Sequence, residues 1–173
     1  GGDLDFDVYR GRRYLPIRLR APLRALFKPL IDDRTRVFAG RRAAIETVMR
    51  FAAGEPGGYL AITAPPGFGK TALVANLVAA TPEAFAYHFF APVYGDETLT
   101  EKFFLQNVVQ QMAAWHGHGA ELPEAINELR ALYQKFVDTP LDHQQLLLLD
   151  GLDEVAQWPL APYLSRRLPA HLH

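Results

Sequence analysis

Apolar positions along the chain fall into short runs that switch between a helical and an extended period. From Arg41 to Ala53, Ile45, Val48, Met49 and Ala52 recur at helical spacing, and Gly54, Pro56, Gly57 and Gly58 supply the stop. Tyr59–Ala64 (YLAITA) is an apolar run too short for a helix and meets Pro65 and Pro66, which predicts a buried strand. Lys70–Ala80 carries Leu73, Val74, Leu77 and Val78 on one broad face and predicts a second helix ending before Pro82. Phe85–Phe90 (FAYHFF) predicts a second strand. Thr98-x-x-Glu101 reads as a capping box opening a long helix with Phe104, Val108, Met112 and Trp115 in register. Pro123 suits the first position of a further helix, whose stripe is Ile126, Leu129, Tyr133 and Phe136. Leu146–Leu149 is an unbroken apolar run ending in Asp150, a third strand. Strands that are apolar throughout and separated by helices predict an α/β fold: a parallel sheet flanked by helices on both faces.

Composition narrows the class. The 173 residues are 49% hydrophobic and 21% charged, which excludes wholesale disorder and low-complexity structure. With no cysteine, disulfide frameworks, thiolate metal sites and cysteine nucleophiles are excluded together. No apolar run approaches the roughly 18–20 residues of a membrane span, so a cytoplasmic setting without membrane contact is expected. The net charge of −1 is unevenly spread: residues 1–36 hold nine of the 18 Lys and Arg, and residues 8–31 carry seven basic residues and no acidic one. Pro16, Pro22 and Pro29 punctuate this stretch, and Arg18 and Arg20 alternate with Ile17 and Leu19, so residues 1–36 read as a basic, extended arm. Nucleic acid stays open as a partner of residues 8–31.

The chemistry concentrates in two places. Ala64-Pro65-Pro66-Gly67-Phe68-Gly69-Lys70-Thr71 lies between an expected strand and an expected helix, the context a phosphate-binding loop requires. Its pattern departs from G-x-x-x-x-G-K-[ST] once, with Ala64 in the first glycine's place. Gly67, Phe68 and Gly69 would turn backbone N–H groups toward an anion at the positive end of the following helix. Lys70 would reach the outer phosphates, and the Thr71 hydroxyl would ligate Mg²⁺. The second place is Leu146-Leu147-Leu148-Leu149-Asp150-Gly151-Leu152-Asp153-Glu154, where an apolar strand delivers Asp150 to its C-terminal end, the position at which open α/β sheets bind ligands. Asp150 is a candidate metal contact, and Asp153 and Glu154 are candidates for orienting and deprotonating an attacking water.

The remaining singular residues read as structural. His88 alternates with aromatics in its strand, as a packed core histidine does. His116-x-His118 and His171-x-His173 find no third ligand at sensible spacing, so no zinc site is expected. Trp115 and Trp158 read as packing anchors.

Together the Ala64–Thr71 loop, the strand ending in Asp150-Gly151-Leu152-Asp153-Glu154, and the Tyr87-His88-Phe89-Phe90 strand followed by a helix carrying Phe104-Leu105 and Gln110-Gln111 resemble the NACHT branch of the STAND P-loop ATPases. Val37-Phe38-Ala39-Gly40-Arg41 is similar to the hydrophobic-Gly-Arg motif that lies upstream of the P-loop in that class. The resemblance covers residues 37–173 and implies the N-terminal part of a NACHT nucleotide-binding domain. It implies Asp150 as the metal acid, Asp153 as the foremost catalytic acid with Glu154 beside it, and Arg41 as a nucleotide-site residue. It further implies ATP and Mg²⁺ as cofactors, slow ATP hydrolysis, self-association and an effector controlled by nucleotide state. Such cores place a strand between the P-loop strand and the metal-acid strand, and none follows Asp150 here, so the sheet is expected to be incomplete on its C-terminal side. An AAA+-type ATPase or a nucleotide-binding scaffold are the alternatives.

Overall fold

The computed structural model describes residues 23–36, 40–54, 58–82, 84–117, 121–141 and 145–164. Its helices are α1 (Lys28–Thr35), α2 (Arg42–Ala52), α3 (Lys70–Ala80), α4 (Glu101–Trp115) and α5 (Ile126–Asp138), and its strands are β1 (Phe85–Phe89) and β2 (Leu146–Asp150). The strands run parallel in a two-stranded sheet, with Phe85 opposite Leu146 and Phe89 opposite Asp150. A parallel pair needs a long crossover, which α4 and α5 provide.

Alternation along the strands divides the apolar core between two faces. Ala86, Phe90, Leu147 and Leu149 pack with Phe104, Leu105, Val108 and Val109 of α4 and with Leu129, Tyr133 and Phe136 of α5. On the other face Tyr87, Phe89 and Leu148 meet Phe27, Leu30, Val74 and Val78, while Phe85 and Leu146 meet Val48, Leu73 and Leu77. The fold is α/β, with helices on both faces of a small parallel sheet. Because α3 serves two of these clusters, it buries Leu73, Val74, Ala75, Leu77 and Val78.

β1 is buried at every position, and its outer edge is closed by side chains. Gln111 Oε1 accepts from the Tyr87 amide at 3.0 Å, while Asn107 Nδ2 and Gln111 Nε2 donate to the Tyr87 carbonyl at 2.8 and 2.9 Å. A free edge strand is a template for unwanted pairing, and two amides from α4 remove this one. β2 differs. It pairs only with β1 among the described residues, and all five of its residues are half-buried.

Several expectations change. Tyr59–Ala64, expected as a buried strand, is not one of the two strands of the described sheet and is not buried, with Tyr59 52% and Ile62 41% exposed. An apolar run becomes a sheet strand only when a neighbouring strand takes up its backbone groups, and the described sheet consists of β1 and β2. The arm was expected to be extended, yet its described part, residues 23–36, is helical. Phe27 and Leu30 sit in the core, and Gln110 Oε1 accepts from the Leu23 amide at 2.8 Å. Residues 1–22 lie outside the described residues. Thr98 does not cap α4: its hydroxyl donates to the Gly95 carbonyl at 2.8 Å and accepts from the Ala91 amide. Thr100 is the cap, accepting from Phe103 N at 3.3 Å, because a short 3₁₀ turn over Asp96–Leu99 delays the helix. Likewise α5 starts at Ile126, after Pro123 and Ala125.

His88 is fully buried, as its alternation predicts. Its Nε2 donates to the Thr98 carbonyl at 2.8 Å, its Nδ1 accepts from Asn107 Nδ2 at 3.1 Å, and rings of Phe27, Phe90, Phe103 and Phe104 surround it. Burial pushes its pKa down from 6.5 to about 4, against the opposing pull of the Thr98 carbonyl. The unfolded imidazole takes up a proton below about pH 6.5 and the folded one only below about pH 4, so the neutral ring's contribution is complete above 6.5 and is lost as pH falls through that interval. By linkage the loss is on the order of 3 kcal/mol across the interval. We expect urea midpoints of the parent chain to fall between pH 7 and 5 more steeply than those of His88→Gln, which keeps a donor for Thr98 but does not titrate. Equal slopes would show that the ring is solvated.

Candidate functional site

The site assembles at the C-terminal end of β2 and the N-terminal end of α3. Between Ala64 and Lys70 the chain turns through Gly67 (φ 79°) and Gly69 (φ 73°), and the Phe68 amide donates to the Pro65 carbonyl at 3.3 Å. Gly69 is the left-handed residue preceding α3, a conformation that a side chain disfavours. A Cβ there would also stand 3.3 Å from Arg41 Nη2. Lys70 folds back over the loop, its Nζ donating to the Ala64 carbonyl at 2.6 Å. Phe68 projects outward, 58% exposed.

Arg41 reaches this loop from a different direction. It follows Gly40 (φ 82°) and is itself left-handed at φ 59°, the one non-glycine residue in that region among those described. Two successive left-handed residues turn the chain sharply ahead of α2 and lay the guanidinium against Gly69. Sequence spacing names Arg41 only through its resemblance to the hydrophobic-Gly-Arg motif. Its placement comes from this turn, and Val37, Phe38 and Ala39 lie outside the described residues.

From the far end of the chain, β2 brings Asp150 to the same place. The Thr71 hydroxyl and the Gly151 amide, both potential donors, lie beside the Asp150 carboxylate, and the Lys70 ammonium and Asp153 carboxylate lie within electrostatic reach of it. Burial raises the Asp150 pKa above its ordinary value and Asp153 adds to the rise, while Thr71, Lys70 and Gly151 pull it down. A partly desolvated carboxylate that its partners do not fully compensate, facing a hydroxyl oxygen, is a donor pair that suits Mg²⁺. That ion takes one or two protein oxygens and keeps water or phosphate on its other positions. Among the described residues no cluster of three or more His, Asp or Glu forms a metal cage. His118 and residues 171–173 lie outside the description.

Beyond Asp150 the chain enters a short 3₁₀ turn, Leu152–Glu154, whose three residues are exposed. Asp153 acts on Asp150 through space, whereas Glu154 is held by its amide, which donates to the Gly151 carbonyl at 2.9 Å. Gly151 (φ 77°) seats the turn: a Cβ there would collide with the Phe90 carbonyl oxygen, and the neighbouring Phe90 amide donates to the Asp150 carbonyl at 2.9 Å. Thus Gly69, Lys70, Thr71, Asp150 and Asp153, with Arg41, converge; Gly67 and Phe68 belong to the same loop, and Glu154 lies on the exposed turn next to Asp153.

Trp158 packs as an anchor, as the sequence predicts, but its hydrogen bond and the polar cluster beyond it were not legible in the sequence. Trp158 Nε1 donates to the Leu99 carbonyl at 2.7 Å, and Tyr163 joins Glu101 and Arg130 in one cluster. These partners come from separate elements, so no spacing along the chain announces them. Compared with protein-family models, curated proteins and solved structures, the chain matches none of the three. Gly151→Ala is expected to cost about 2 kcal/mol or more in urea unfolding. Gly117→Ala, at φ 66° with open space around it, serves as the control and should cost about 1 kcal/mol. Equal losses would show that the Phe90 contact carries nothing.

Proposed function

We propose that this chain binds a nucleoside triphosphate with Mg²⁺ at the junction of the Gly67–Thr71 loop and the end of β2, in the manner of a STAND-type ATPase switch. The observation that carries the reading is the approach of Thr71, in the first turn of α3, to Asp150 at the end of β2, which joins two chemically suggestive stretches far apart in the chain. Lys70 and Arg41 supply two positive charges at the N-terminus of α3, where the helix dipole already favours an anion. Lys70 holds a carbonyl of its own loop and would exchange that bond for a phosphate oxygen, a stronger acceptor. Thr71 and Asp150 would hold Mg²⁺, which when bound neutralises charge on the transferring phosphoryl group.

Asp153 stands beside Asp150 on an exposed turn, where water has access. Its carboxylate would accept the proton of the water that attacks the terminal phosphorus, with the diphosphate product leaving along the loop. ATP is favoured over other nucleotides, and coupling of nucleotide state to self-association and an effector is included, on the resemblance alone. No helix among the described residues is long and apolar enough to cross a membrane.

Lys70→Ala is expected to abolish Mg-ATP binding in calorimetry, and unchanged affinity would remove the phosphate-loop reading. Asp153→Asn should retain binding and slow single-turnover hydrolysis at least tenfold or so, as loss of a general base does. An unaltered rate would place the proton acceptor elsewhere.

A further inference from the structure

The turn that carries Asp153 is exposed, and Gly151 seats its upstream end against the Phe90 carbonyl. Its downstream end runs into a cluster built on α4 and α5. We infer that Trp158, Tyr163 and the Glu101–Arg130 pair form a clasp that sets the position of Asp153 over the phosphate site, acting as positioning residues. The inference rests on the reading of that site as a nucleotide site.

The clasp is built on the start of α4. Trp158 packs its ring against Phe104 (centroids 5.5 Å) and Phe90 (6.1 Å), while its indole N–H is fixed to the Leu99 carbonyl at 2.7 Å. Tyr163 continues the aromatic stack, 5.8 Å from Trp158 and 5.6 Å from Phe104, and its backbone carbonyl accepts from the Tyr133 hydroxyl at 3.0 Å. Its own hydroxyl donates to Glu101 Oε1 and accepts from Arg130 Nε at 3.1 Å. Arg130 is bidentate on Glu101 at 2.9 and 2.8 Å, a forked geometry that resists rotation. The strap from β2 to Tyr163 is therefore tied at three levels: Val155 in the apolar core, Trp158 on the Leu99 carbonyl and Tyr163 on the charge pair. A carboxylate that must meet a water within hydrogen-bond reach loses rate steeply when displaced by about 1 Å, and this tethering limits such displacement.

Two conservative variants test the clasp. Trp158→Phe keeps a ring against Phe104 and removes the N–H; Tyr163→Phe keeps the stack and removes the hydroxyl. In the full chain, each is expected to leave the calorimetric Kd for Mg-ATP within about twofold and to lower the single-turnover rate constant roughly five- to tenfold. Placed in the Asp153→Asn background, each should lower the rate less than about twofold, because the residue being positioned is already disabled. An equal fold loss in both backgrounds, an unchanged rate with binding kept, or loss of cooperative melting in both variants would overturn the clasp and leave it a purely structural cluster. A parent chain that binds Mg-ATP without hydrolysing it overturns the clasp alone; one that does not bind Mg-ATP overturns the nucleotide reading and the clasp with it.

Discussion

The parallel ladder between β1 and β2 is the constraint on which the rest of this molecule depends. Its register sets Phe89 opposite Asp150, so the last rung of the sheet is also the point where the strand hands its carboxylate to solvent. The Phe90 amide bonds the Asp150 carbonyl just beyond, and the Phe90 carbonyl lies against Gly151. A slip of one residue would turn the four leucines over and carry Asp150 away from Thr71. The two amides of α4 that take up the outward N–H and C=O of Tyr87, at the centre of β1, help protect this register, because they leave those groups no competing partner.

Around that ladder the helices divide the labour. α3 packs its apolar side against the sheet and offers its N-terminus, with Lys70 and Thr71, to the end of β2. α4 and α5 fill the opposite face and extend past it into the cluster of Glu101, Arg130, Trp158 and Tyr163. One side of the sheet thus brings the cations and the hydroxyl, while the other restrains the turn bearing Asp153. β2 itself is only half-covered, and residues 59–63 lie exposed before the phosphate loop. An apolar strand in that condition is stabilised far less than β1, which is buried at every position.

Much of this was legible in the chain. The boundaries of α3, the run of β2 and the burial of His88 follow from period and composition, because a helix or strand that packs against a core must repeat its apolar residues at its own pitch. The loop glycines and the Lys70-Thr71 pair were legible for a similar reason: a left-handed turn before a helix admits few residue types. Thr98 misled because a hydroxyl three residues before a glutamate looks the same whether it caps a helix or bonds back to a carbonyl within a 3₁₀ turn. The arm misled as well. Its prolines and arginines mask the pair that matters, Phe27 and Leu30, whose burial depends on α3 and β1 lying opposite them.

By itself the sequence determined which segments are apolar and at what period, where the chain turns, and which side chains have the chemistry to meet a phosphate and a divalent ion. Those are local properties, written within a few residues of each other. Tertiary structure alone decided that Thr71 meets Asp150, that Arg41 lies against Gly69, that Asp153 comes within electrostatic reach of the Asp150 carboxylate, and that Trp158 and Tyr163 tie down the turn. Each of these joins residues distant along the chain, and such contacts exist only when the sheet register and the packing of helices on both faces are satisfied at once.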